Sequence, residues 1–228
     1  KIADVLVSLN IEISTSTVRN ILRQNGLEPE PDRKTTWRDF IRSHFHVMAA
    51  CDFFSVEILT TKGLVRYMVL FAIELSTRKV SVLGVKHDPD GQWMAQIARN
   101  VTDCESGLLK DKKYLIHDRD TLFTLHFTDI LKSGGVECVK LPARSPNLNA
   151  FAERFVRTIK EECLNHLILT SEKQLRYVLS EFLEYYHAGR VHQGIGKIIE
   201  PKHQNNTGEI YCIERLGGLL KSYHRKAG

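Results

Sequence analysis

The stretch that most constrains this chain is residues 64–75, centred on Met68-Val69-Leu70-Phe71-Ala72-Ile73. It is almost unbroken in apolar, strand-forming residues. It is too short to cross a bilayer as a helix, which takes about 20 residues. It also lacks the polar alternation of a strand with one wet face, so it reads as a central strand covered on both sides. Strands over residues 47–55 and 79–86 flank it, with turns at Thr61-Lys62-Gly63 and Ser76-Thr77-Arg78. Beyond them the pattern changes to strand–helix alternation. A helix capped by Asp90 sets Trp93, Ile97 and Val101 on one stripe, and a fourth strand follows over residues 113–117. A helix over residues 125–133 ends at Gly134-Gly135, a fifth strand covers residues 136–141, and helices cover residues 149–165 and 171–187. The expected class is α/β, with a mixed five-stranded sheet flanked by helices.

The segment upstream has a different character. Residues 1–28 hold two short helical patterns, the first with Ile2, Val5, Leu6 and Leu9 on one face. The second opens at Ser14 or Thr15, repeats Val18, Ile21 and Leu22, and stops at Gly26. The pair fits a helix-turn-helix that would present Ser16, Arg19, Asn20 and Arg23 to DNA, and it also fits an ordinary helical hairpin. Glu28-Pro29-Glu30-Pro31-Asp32 cannot continue a helix, so residues 29–46 read as a linker with a lead-in helix. A core over residues 47–190 and a basic tail over residues 191–228 complete the expected organisation.

Charge and cysteine usage narrow the class further. Residues 47–189 carry 18 Lys and Arg against 18 Asp and Glu, whereas residues 190–228 carry 7 against 3. A basic end beside a neutral body suits a polyanion partner, although an ordinary solvated surface explains so small an excess equally well. The five cysteines are scattered, without a Cys-x-x-Cys pair, which points to reduced thiols and a cytoplasmic location. No signal peptide or membrane span is evident, so no membrane partner is expected. A start at Lys1 reads as a segment of a longer chain.

Three acids stand in unusual places. Asp52 lies within the apolar first strand, in Ala49-Ala50-Cys51-Asp52-Phe53-Phe54. Asp118 sits where the fourth strand gives out, in His117-Asp118-Arg119-Asp120, and strand ends are where open α/β sheets place ligands. Glu153 occupies a helix whose Phe151, Phe155 and Ile159 should face the sheet, while Glu153, Arg157 and Lys160 share another stripe. An isolated helix would carry such a stripe as solvated surface. An acid inside an apolar strand is different, because a buried carboxylate needs a cation, a hydrogen-bond network or a proton.

Around these acids the chain resembles the integrase-core (rve) transposases with a DDE triad, of the bacterial insertion-sequence type and related to retroviral integrases. The resemblance rests on His117-Asp118-Arg119-Asp120, on Ser145-Pro146-Asn147-Leu148-Asn149-Ala150-Phe151-Ala152-Glu153-Arg154-Phe155, and on Lys160-Glu161-Glu162. Tyr186-His187-Ala188-Gly189-Arg190-Val191-His192-Gln193-Gly194 adds to it, and 34 residues separate Asp118 from Glu153. The family often has Gly where Asp120 stands and Pro where Val191 stands. Asp120 is thus an alternative second ligand to Asp118, although Asp118 matches the family word.

The resemblance implies a ribonuclease-H-like core in which Asp52, Asp118 and Glu153 are catalytic and hold two Mg²⁺ or Mn²⁺ ions. Such ions about 4 Å apart activate the attacking oxygen and stabilise the leaving one. It implies DNA end cleavage followed by strand transfer, on double-stranded element ends and target DNA, by a homo-oligomer. Arg157 and Lys160 would position DNA phosphates. Arg190 and His192 are further DNA-contact candidates, although a structural hydrogen bond near the helix end accounts for His192 equally well. Arg19 and Arg23 would face DNA from the helix-turn-helix. The rival readings are a nuclease of the same fold that does not join, and an inactive DNA-binding regulator.

Overall fold

The computed structural model describes residues 6, 11, 13–25, 37–141, 149–201 and 208–226. Residues 1–43 and 44–228 form two separate units. In the first unit, helix α1 (Thr15–Gln24) starts where Ser14 Oγ accepts the Thr17 N–H at 3.1 Å. The preceding helix expected around Ile2, Val5 and Leu9 lies outside the described residues, as do the side chains of Arg19 and Arg23. Helix α2 (Trp37–His44) leads to the second unit.

That unit is built on a five-stranded sheet. Strands β1 (Met48–Thr60), β2 (Gly63–Glu74) and β3 (Val80–Lys86) form an antiparallel meander. Helix α3 (Gly91–Val101) leads to β4 (Tyr114–His117), and α4 (Leu125–Ser133) leads to β5 (Glu137–Lys140). The spatial order is β3-β2-β1-β4-β5, with β1–β4 and β4–β5 parallel. The mixed sheet was therefore legible in advance. The first strand is longer than residues 47–55, because it pairs with β2 out to Thr60↔Gly63. Past Ser55 its buried positions are Val56 and Ile58, with Glu57 and Leu59 exposed. That is the alternation of a half-covered strand, which an apolar-run reading passes over.

Side-chain alternation along β1 divides the core into two layers. Ala49 and Cys51 point to one face, where they pack with Met94, Ile97 and Ala98 of α3 and with Phe127 and Leu131 of α4. The other face is covered by α5 (Ala150–Glu162) and α6 (Glu172–Ala188). There the Phe71 ring meets Phe54 at 5.8 Å and Phe155 at 4.8 Å, and Phe155 in turn meets Tyr186 at 5.2 Å. Asp52 shares the parity of Phe54 and so points toward the α5 layer. Gly84 has a packing reason: a Cβ there would run into the Trp93 indole that lies on β3.

Helix α6 also closes an open sheet edge. Strand β3 is terminal in the sheet, yet His187 Nε2 accepts the Val80 N–H at 3.0 Å and Arg176 donates to the Val85 carbonyl at 2.8 Å. The segment expected to be a basic tail contains a second, two-stranded sheet of β6 (Ile210–Arg215) and β7 (Leu220–Arg225). Arg215 ties it to α6 through Glu181 at 3.0 Å, and Gly189 lets Ser222 approach the end of α6 closely. Among the described residues no helix is long and apolar enough to cross a membrane.

Candidate active site

The parallel pairing of β1 and β4 determines where two of the acids fall. Ala50, two residues before Asp52, pairs with Ile116, two residues before Asp118, so the register brings both acids to the same end of the β1–β4 pair. Glu153 arrives from above on the first turn of α5. The outcome is electrostatic. The Asp52 carboxyl is pushed up to about 6, first by burial and then by the charges of Asp118, Glu153 and Asp120. The Phe53 N–H, donating to Asp52 Oδ1 at 2.8 Å, works against that shift. No ion pair reaches Asp52 among the described residues. Of the acids singled out by sequence, Asp118 and Glu153 thus both lie within electrostatic reach of Asp52.

The loop after β4 holds Asp118 by local bonds. Its Oδ1 accepts the Asp120 N–H at 3.0 Å, and Asp120 Oδ1 accepts the Leu122 N–H at 2.8 Å. Asp120 therefore shapes the turn, and its charge on Asp52 ranks below those of Asp118 and Glu153. His117, buried against the Phe123 ring at 4.4 Å, donates its Nδ1–H to the Asp118 carbonyl, and its Nε2 has no partner. Burial lowers its pKa, so the ring is neutral.

Helix α5 presents three faces. Ala152, Phe155 and Ile159 are buried in the core. The expectation that Phe151 also faces the sheet is corrected: it is 37% exposed and lies under the Arg78 guanidinium. Glu153 and Arg157 are exposed and Lys160 half-buried on a second face, and neither cation is ion-paired among the described residues. Arg190 and His192 are committed inside the protein. Arg190 donates to both carboxylate oxygens of Glu162, at 2.6 Å and 2.9 Å, and the His192 ring is buried with Nε2 2.7 Å from the Tyr186 carbonyl. Both side chains brace the junction after α6 through these bonds, and for His192 this is the structural hydrogen bond near the helix end that the sequence also allowed. Replacing Glu162 with Gln leaves a half-buried guanidinium without its counter-charge. Denaturant unfolding should register a loss of about 1–3 kcal/mol; an unchanged midpoint would mean the pair contributes nothing to the fold.

The donor set suits a hard divalent cation, because carboxylate oxygens are its preferred ligands and their mutual repulsion is what such an ion offsets. Among the described residues, however, no three His, Cys, Asp or Glu side chains close on a common metal position. The fit is therefore one of charge and ligand chemistry. Asp52 is set by the sheet and Asp118 by the turn that follows β4, whereas Glu153 hangs on an exposed, rotatable side chain.

A mixed sheet of this order between two helical layers is the ribonuclease-H-like fold of integrase catalytic cores. Residues 134–199, which include Glu153 and all of α5 and α6, match the family described as integrase core domain. Among solved structures, the HTLV-2 integrase catalytic core domain in complex with magnesium is similar at a TM-score of 0.50 and 14% identity, over 68% of this chain and 93% of that one. The simian T-cell lymphotropic virus intasome, solved with a PP2A regulatory subunit, gives a TM-score of 0.51 at 12% identity, over 80% and 67% of the two chains. The catalytic domain of Mos1 mariner transposase gives 0.50 at 15%, over 64% and 74%. No curated protein matches the chain by sequence.

Proposed function

We propose that this chain catalyses metal-dependent cleavage and joining of DNA strands, as a transposase of the integrase-core type acting as a homo-oligomer on double-stranded DNA. The observation that carries the reading is the raised Asp52 carboxyl. Its neighbouring negative charges, Asp118 and Glu153, come from a separate strand end and a separate helix. Such a concentration of like charge destabilises the fold and calls for a positive ligand. Asp52, Asp118 and Glu153 would hold Mg²⁺ or Mn²⁺, the former being present in the HTLV-2 core. The ions would supply a more acidic attacking hydroxyl and a counter-charge for the leaving oxygen. The chain's own residues do the positioning. Arg157 and Lys160 lie on the Glu153 side of α5, where they hold phosphate oxygens beside the carboxylates. Apolar β1 and β2 fix Asp52 so that it does not have to reorganise on binding.

The test separates joining from cutting. A labelled duplex ending in a 3′-hydroxyl is incubated with a supercoiled plasmid and Mg²⁺ or Mn²⁺. The expected result is label incorporated into the plasmid by the wild-type chain and none by Glu153→Gln, with both binding the duplex comparably. Nicking without incorporation would replace the transposase reading with that of a nuclease. Equal incorporation by Glu153→Gln would remove Glu153 from the site.

A further inference from the structure

Helix α5 has a third face, and the cations on it are unexplained by the acidic site. A cavity of about 370 Å³ opens between α5, the β2–β3 turn and the segment after α6. Phe151, Arg154 and Thr158 line it from α5, Arg78 from the turn, and Tyr186 and Gln193 from the far wall. Successive helical residues are rotated by about 100°. Arg154 therefore points well away from its neighbour Glu153, and the cavity is distinct from the carboxylate site.

We propose that this cavity is a phosphate-binding pocket that seats the backbone of a DNA strand, on a different face of α5 from the carboxylates. The proposal rests on the DNA reading above and adds a second contact region to it.

Four observations support it. No Asp or Glu lines the cavity, and neither Arg78 nor Arg154 has an acidic partner among the described residues. Arg190, which also lines it, is neutralised by Glu162. Arg78 is held deliberately. It adopts a left-handed backbone at φ 65°, unfavourable for a residue with a side chain, and its guanidinium lies 3.4 Å from the Phe151 ring centroid and 5.2 Å from that of Phe45. One of its donors is used by the Leu75 carbonyl at 2.6 Å, out of the five a guanidinium carries. Finally, burial lowers the Arg78 pKa, Tyr186 works against that shift, and the Arg154 charge adds a smaller lowering, so the two guanidiniums lie within electrostatic reach of one another.

The geometry favours phosphate over carboxylate. A planar carboxylate is satisfied by one guanidinium fork, as Glu162 is by Arg190. Two guanidiniums arriving from separate elements suit a tetrahedral group with oxygens pointing several ways. The Phe151 and Tyr186 rings give apolar walls for the sugar next to it.

Arg154 is the residue to change, because it is exposed and its loss should not disturb the core. Binding of a fluorescent duplex is measured by anisotropy across a salt series in EDTA, so that catalysis plays no part. Arg154→Gln should weaken binding roughly 5–10-fold and reduce the slope of log K against log salt by about 1, while Arg154→Lys recovers most of the slope. Arg154→Gln with wild-type affinity and slope overturns the pocket and leaves the transposase reading intact. A wild-type chain without salt-dependent duplex binding overturns both. Inorganic phosphate supplies the remaining arm, read by thermal shift at constant ionic strength. A phosphate shift abolished in Arg154→Gln, with duplex binding unaffected, would assign the pocket to free phosphate and overturn its assignment to DNA.

Discussion

Asp52→Asn is expected to make the metal-free protein more stable at pH 8, by about 3 kcal/mol or roughly 6–12 °C in the thermal midpoint. The sign follows from linkage. The folded-state value of about 6 lies above the ordinary aspartate value of 3.8. At pH values below both, the carboxyl is protonated folded or unfolded, and no penalty exists. As pH rises from about 4 to 6, the unfolded chain releases its proton first, so stability falls; above about 6 the full penalty is present. The amide carries no such charge. The gain should therefore be large at pH 8 and vanish near pH 4. Added Mg²⁺ should reverse the ranking, since a ligand bound only by the native state raises its stability by mass action. Wild type is expected to gain from the metal and Asp52→Asn to lose most of that gain, along with strand transfer. Equal metal-free midpoints for the two proteins at pH 8 would mean that neither burial nor the neighbouring carboxylates penalise the Asp52 charge.

Phe155→Ala is expected to cost about 3–5 kcal/mol, the largest loss from any single truncation in the α5 layer. Phe155 is 1% exposed and its ring meets Phe71, Phe182 and Tyr186 at 4.8, 6.2 and 5.2 Å. Removing it opens a cavity where β2, α5 and α6 meet, and α5 is the element that brings Glu153 to the strands. Two readouts should fall together: the denaturant midpoint and the Mg²⁺-induced thermal shift. Phe151→Ala on the same helix serves as the comparison. Phe151 is 37% exposed and mainly supports Arg78, so its removal should cost about 1 kcal/mol. Similar losses at both positions would contradict the assignment of Phe155 to the core.

The sheet was legible because period-two and run patterns are local. Central strand β2 announced itself by the run from Met68 to Ile73, and the cap at Asp90 marked a helix start where it occurs. The reading fell short where a residue's partner is distant in sequence. Phe151 belongs to an apolar repeat with Phe155 and Ile159, yet the sheet ends beneath it and Arg78 takes its place. Arg190 and His192 sit in a basic, family-like segment, but Glu162 and the Tyr186 carbonyl claim them. The β6–β7 hairpin was passed over because its apolar run, Ile210 to Ile213, is only four residues long and mostly exposed.

Sequence alone determined the order of elements in the five-stranded sheet and its helices and marked Asp52 as a residue in need of an explanation, because one ionisable group in an apolar strand is conspicuous without any coordinates. Which charges press upon it was a tertiary matter. Parallel pairing of β1 with β4 brings Asp118 to the same end of the sheet as Asp52, and packing of Phe155 onto Phe71 holds the helix that carries Glu153 within electrostatic reach of Asp52. Likewise, only the folded chain brings Arg78 and Arg154 to one cavity while pairing Arg190 away. Coulomb interactions depend on separation in space, and chain folding is what converts distant positions into neighbours.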